Sequence, residues 1–344
     1  MKLRLTATLL CIPLLLSGCS TSETEVPVSE DSKEQTEASV APTEEPNQAP
    51  VAPTAEQKKR LIEAIPAEKT LAGLKAHFQE IDEAASFLEP FLIEYTVGPT
   101  AVPSKVESVV SKFSDKLKMY QLLGLESLNQ DWVLASEKDH DWWVDFRLAQ
   151  DPSFPVEMWD KKSNVLGHCG LSSDVFCGAG NSLNGKNYQD NVVGTLFTSR
   201  GLDYVSRHES AHFYQAVFGY GGRCWMAEGQ ATFFETYLES SSRSRSEVIA
   251  RLKSSPLEIT DLSKNQLLAL MESDQVCQKD SNIAYDLGML GYEYLYLNFS
   301  FQDVHDLQVV SSTKGWDKAV TKVLSIDAGN LNRDLAEYIY AETR

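Results

Sequence analysis

Two histidines four residues apart enclose a glutamate in the run His208-Glu209-Ser210-Ala211-His212. On a helix, residues four apart project from one face, so both imidazoles can grip a single ion. Glu209 stands about a hundred degrees round from His208, beside the ion and aimed at its open side. Downstream, Trp225-Met226-Ala227-Glu228-Gly229 offers Glu228 as a third ligand at the start of a second helical stretch. Two imidazoles and a carboxylate leave one position on a zinc ion for water and bring that water's pKa toward ~7. A carboxylate beside the water can take its proton and pass it to a departing amine. The competing reading is a surface helix with two unconnected histidines. Against it, Tyr204, Val205, Ala211, Phe213, Ala216, Val217 and Phe218 make the segment apolar almost all round, as in a buried helix. Buried imidazoles and carboxylates need partners, and a metal supplies them. Gly219, Gly221 and Gly222 then stop the helix and turn the chain back toward it.

His-Glu-x-x-His followed by Trp-x-x-Glu-Gly-x-Ala resembles the gluzincin metallopeptidases, the group that includes thermolysin and the thermolysin-like aminopeptidases. The resemblance covers mainly residues 190–300. It implies His208, His212 and Glu228 as zinc ligands and Glu209 as general base. Thermolysin carries an aspartate four residues after the third ligand, where this chain has Thr232. Thr232 and Glu235 both fall on the face of Glu228 and are candidates to support the ligands from behind, or simply helix residues facing solvent. Further on, Tyr285 with Gly288 matches the Tyr-x-x-Gly of the thermolysin-like aminopeptidases, whose tyrosine hydroxyl supports the oxyanion of the tetrahedral intermediate. A neutral phenol aimed at developing negative charge is sound electrophilic chemistry. The alternative is a core helix, capped by Ser281 or Asn282 and running to about Phe299, with Gly288 and Gly291 allowing close helix contact. The Gly-x-Met-Glu-Asn signature of the aminopeptidases is absent, so recognition of a free amino terminus is not implied.

The elements that must position these residues follow a processed leader. Lys2 and Arg4 give a positive start and Leu9 to Leu16 an apolar stretch too short to span a bilayer as a permanent helix. Leu16-Ser17-Gly18-Cys19 resembles a bacterial lipobox, which implies a signal peptide over 1–18 and lipidation of Cys19. Several acyl chains at one residue anchor a protein stably, each buried CH₂ contributing ~0.8 kcal/mol. By the same resemblance Ser20 favours outer-membrane sorting in a Gram-negative envelope. Residues 20–57 hold nine acidic residues, one lysine, five prolines and no aromatic, so 19–57 reads as a disordered tether. The chain's net charge of −18 argues against nucleic acid as a partner. Beyond Cys11 and Cys19 four cysteines remain: Cys169, Cys177, Cys224 and Cys277. An even number in an oxidising compartment suggests two disulfides, with Cys169–Cys177 and Cys224–Cys277 favoured among three pairings. A Cys/His metal site using His168 is the rival, and its spacing fits no standard zinc pattern.

Helical periodicity over 58–125 marks a lead region, with Pro103 opening one of its helices. It either frames one side of a cleft or packs as support. Over 126–344 the expectation is a zincin-like catalytic domain: strands at Trp132–Ser136 and Val192–Thr198, a helix from Asp139 to Leu148, the metal helix, then helices to the end. The fold class is therefore α+β and mostly helical, with a thermolysin- or aminopeptidase-like catalytic domain. The expected function is zinc-dependent hydrolysis of peptide bonds in peptide or protein substrates at the cell envelope. Two other classes stay open: an envelope-anchored binding or scaffold lipoprotein with a structural or vestigial zinc site, and a zinc amidase acting on a cell-wall linkage.

Overall fold

A computed structural model describes residues 52–127 and 202–344, apart from 220–222, 240–243, 274, 275 and 277–280, together with some positions between 132 and 177. The described chain is mostly helical. It opens with α1 (Ala55–Glu63), α2 (Leu71–Ser86) and α3 (Pro103–Gln121), with strand β1 (Tyr95–Val97) between the last two. Strands β2 (Trp132–Ala135) and β3 (Phe176–Cys177) complete a small mixed sheet. In it β1 runs parallel to β2, Tyr95 opposite Trp132, and β3 antiparallel, Cys177 opposite Leu134. Then come α4 (Leu202–Phe218), α5 (Cys224–Leu238), α6 (Arg245–Lys253), α7 (Lys264–Glu272), α8 (Ser281–Asn298), α9 (Phe301–Lys314), α10 (Trp316–Ala319, running into a π turn to Leu324) and α11 (Ala328–Glu342). No helix among the described residues is long and apolar enough to cross a membrane.

Local chemistry sets many of the boundaries. Thr54, Ser244, Ser263 and Ser300 each accept a hydrogen bond from the backbone N–H three residues on. The side chain found there (Gln57, Glu247, Gln266 or Asp303) reaches back to the cap's own N–H, closing a capping box. The first of these starts α1 at Ala55, inside the segment read from composition as tether to residue 57. Pro103 sits in the first turn of α3, where its missing N–H costs nothing. Gly219, at φ 64°, ends α4, since that left-handed backbone suits glycine.

The expected strand at 132–136 is present to Ala135, and the described positions Asp141, Trp142, Asp145, Leu148 and Ala149 are helical. The expected strand at 192–198 lies outside the described residues. The strand β1 was not anticipated, because three residues are too few to show alternation against helical neighbours.

Helices α5 and α8 cross with their backbones in direct contact. A Cβ placed on Gly229 would stand 2.4 Å from the carbonyl carbon of Gly288, and one on Gly288 2.4 Å from the carbonyl oxygen of Trp225. Backbones this close admit no side chain, so both positions require glycine. The crossing brings the turn that carries Glu228 against the turn that carries Tyr285. The lead helices join the same core: Phe78 of α2 packs edge-to-face on Phe233 and Phe234 of α5, Tyr296 of α8 and Phe301 of α9. Phe113 and Tyr120 of α3 meet Phe213 and Tyr214 of α4. A buried ion network reinforces that seam. Arg207, 2% exposed, binds Asp82 of α2 at 2.9 Å and Glu239, the C-cap of α5, at 3.1 Å; Lys116 of α3 reaches Glu239 at 2.6 Å.

Candidate metal centre

His208 and His212 lie one turn apart on α4, and α5 packs alongside to present Glu228 from its second turn. The three functional atoms converge. His208 Nε2 and His212 Nε2 are 3.2 Å apart, and Glu228 Oε2 stands 3.3 Å from the first and 3.2 Å from the second. A tetrahedron with the ~2.0–2.1 Å spokes usual for zinc with nitrogen or oxygen has edges of roughly 3.3 Å, so this triangle has the size of one such face. Among the described residues no fourth His, Cys, Asp or Glu completes the group. The side chains are 13%, 22% and 31% exposed respectively, so the cluster is reachable from solvent through Glu228 and His212.

What stands behind each imidazole matters as much. His208 Nδ1 is 3.0 Å from Glu235 Oε2, two turns along α5 from Glu228. An ionised carboxylate only accepts, so Nδ1 carries the proton and Nε2 turns its lone pair to the centre. His212 Nδ1 is 3.0 Å from Gln215 Oε1, which acts on that ring in the same way. Three acceptor atoms thus face one another at van der Waals distance or less, and only a cation or shared protons can sit among them. The chain's residues fit a divalent metal on this ground.

Without a metal, protons take that place. Burial opposes charge on His208, yet its hydrogen bonds to Glu228 and Glu235, with the charges of Glu209 and Glu228, outweigh it and push the pKa to about 10. His212 is raised likewise: burial opposes, and Glu228's charge and hydrogen bond prevail. Glu228 is held well below the usual carboxylate range, its burial overcome by the two histidines. Protons and a metal compete for the same three atoms.

The other residues singled out from the sequence are placed as follows. Glu209 is half-buried on α4, and its charge acts on both imidazoles. The ring of Tyr285 lies stacked on His208, centroids 5.8 Å apart and planes 13° from parallel. Glu235 meets His208; Thr232 does not, being fully buried with its hydroxyl unpartnered among the described residues. Gln215 was missed, although its place three residues after His212, on the same helical face, was a usable signal. Cys224, at the start of α5, is disulfide-bonded. Cys169 and Cys277 lie outside the described residues, as does Cys19, and of Cys177 only the strand placement is described.

No family model, no curated protein and no solved structure matches this chain.

Proposed function

We propose that this chain is a zinc-dependent peptidase of the gluzincin type, with a zincin-like arrangement of its helices. His208, His212 and Glu228 would hold the ion and Glu209 would be the general base. The observation that carries the reading is the convergence of three acceptor atoms on one point, two of them backed by their own hydrogen-bond acceptors. That is how catalytic metal ligands are oriented. Among the described residues the group stops at three, where a structural site would be closed by a fourth protein ligand, and this also favours catalysis.

A zinc ion bound there would supply a Lewis acid for the scissile carbonyl and make a neighbouring water acidic near neutral pH. Glu209 takes the proton of the attacking water at its carboxylate and delivers it to the departing amine nitrogen. Glu235 and Gln215 keep the two imidazole rings from rotating as charge changes beside them. Tyr285, stacked on His208, offers a phenol hydrogen to the carbonyl oxygen as it becomes an oxyanion. Anchoring of the chain in a Gram-negative envelope through Cys19, and the Cys224–Cys277 and Cys169–Cys177 bridges, belong to the same proposal.

The test uses the full chain and a peptide library. The parent should carry one equivalent of zinc, lose it to a strong chelator and cleave peptides. Glu209→Gln should retain the metal and lose hydrolysis by orders of magnitude, because the amide keeps the shape but accepts no proton. His208→Ala and His212→Ala should lose most of the zinc. A double histidine variant with undiminished zinc would end the metal assignment, and a fully active Glu209→Gln would end the assignment of the base.

A further inference from the structure

Behind His212 lies a chain of amides that crosses the core away from the ligands, and its direction can be read from one unambiguous acceptor. Gln215 Nε2 donates to the backbone carbonyl of Ala227 at 3.0 Å. A carbonyl oxygen cannot donate, so the amino group of Gln215 must face it and Oε1 must face His212 Nδ1. The second hydrogen of that amino group goes to Gln230 Oε1 at 2.8 Å. Gln230 is thereby oriented in turn, its own Nε2 donating to Gln308 Oε1 at 3.0 Å and to the Tyr296 hydroxyl at 2.9 Å. Gln308 Nε2 then donates to the Tyr292 hydroxyl. Gln230 and Gln308 are 0% and 1% exposed and Gln215 6%, so the run is sealed in the core.

We infer that Gln215 is a positioning residue that locks His212 with its proton on Nδ1 and its Nε2 lone pair toward the metal, and that Gln230 and Gln308 hold Gln215 in that sense. The inference rests on the metal reading proposed above. Reversing Gln215 alone would bring its oxygen against the oxygens of Ala227 and Gln230 and its amino group against the His212 N–H. Reversing Gln230 and Gln308 as well would relieve only the contact with Gln230, because the Ala227 carbonyl cannot turn into a donor. Ala227 also precedes Glu228, so one side chain fixes both the ring of His212 and its spacing to the turn that carries the third ligand. His208 is held differently, by the anionic carboxylate of Glu235. The two histidines therefore have unequal support: a charged acceptor behind one, a neutral and geometrically locked acceptor behind the other.

The decisive measurement is the zinc dissociation constant of the full chain by chelator competition, with the cobalt(II) spectrum as a second readout of ligand geometry. Gln215→Met fills the space and removes the lock; it should weaken zinc by ~10–100-fold and alter the cobalt bands. Gln308→Met touches no ligand and should act in the same direction by several-fold, which a local packing role would not produce. It also decides the matter if Gln215→Met does not fold. Asn332→Leu, which breaks hydrogen bonds to Trp316 and Glu272 that involve neither the three ligands nor the three glutamines, should lower the melting temperature and leave zinc affinity unchanged. Zinc affinities within twofold of the parent for both glutamine variants would overturn the inference while leaving the zinc reading intact. So would nitrogen NMR of zinc-loaded protein placing the His212 proton on Nε2. A parent that binds no zinc would reject the metal reading itself, and this inference with it.

Discussion

His208 shows how much a single partner decides. Its neighbour Glu235 is 2% exposed and meets it at 3.0 Å, so the carboxylate raises the ring's basicity as well as fixing its orientation. Glu235→Gln retains an acceptor and loses the charge, and should weaken zinc by about tenfold, the lower end for such partners, as read by chelator competition. Unchanged affinity would mean that orientation alone matters there. A third histidine behaves in the opposite way. His305, 7% exposed and hydrogen-bonded to Tyr214, is kept neutral by burial down to about 4, with Asp306 opposing only in part. In the unfolded chain the same ring titrates near ~6.5. Between those values the unfolded state binds more protons, so this contribution to stability is complete above pH ~6.5 and is lost as pH falls toward 4. Urea unfolding of the parent at pH 7, 5.5 and 4.5 should show that decline. His305→Asn should have a shallower profile over the same interval, and an identical slope would remove His305 from the account.

Between helices, the site depends on a contact made of backbone. Gly229 and Gly288 let α5 and α8 touch, and the residues on either side of that touch are Glu228 and Tyr285. Gly288→Ala must drive the helices apart. Overpacking of this kind costs typically ~1–3 kcal/mol, and here it should also separate Tyr285 from His208. The expected result is a lowered urea midpoint and, for the proposed peptidase, a fall in kcat larger than any change in zinc content. A variant with parental stability would show that the crossing has slack. This also gives Gly288 a packing reason independent of the Tyr-x-x-Gly resemblance that drew attention to it. Elsewhere the elements follow from short-range chemistry: the capping boxes at Thr54, Ser244, Ser263 and Ser300 were written in the sequence as Ser or Thr followed three residues later by an acid or glutamine.

Taken as a whole, the described chain has one hydrophobic core that runs from Ile62 to Ile339, so the lead helices and the ligand helices share their interior. Phe78 is the clearest link, 1% exposed and in ring contact with α5, α8 and α9. Phe78→Ala should cost ~3–5 kcal/mol in unfolding free energy, the range for a buried phenylalanine. Calorimetry should show a single transition moving to lower temperature, with the helices that carry His208, His212 and Glu228 melting at the same point. Two separated transitions would mean that the 58–125 helices fold on their own. The Arg207 network at the same seam is a matter of geometry more than of strength, because desolvation offsets much of what a buried ion pair contributes.

The amino-acid order alone was enough to put His208, Glu209 and His212 on one helix and Glu228 on the next, because helical periodicity acts over three or four residues. It also marked the periodic segments α2 and α3, the apolar core helix α8 and the turn at Gly219. Periodicity could not distinguish Thr232 from Glu235, since both lie on the face of Glu228; the packing of α5 against α4 places only Glu235 on a ligand. Nor could it show the run from Gln215 through Gln230 to Gln308, whose last link joins residues 78 apart in sequence. Hydrogen bonds of that reach are set by how helices cross; Gly288 was legible as a close-contact position, but its partner Gly229 on another helix was not, because pairing across helices carries no periodic signal.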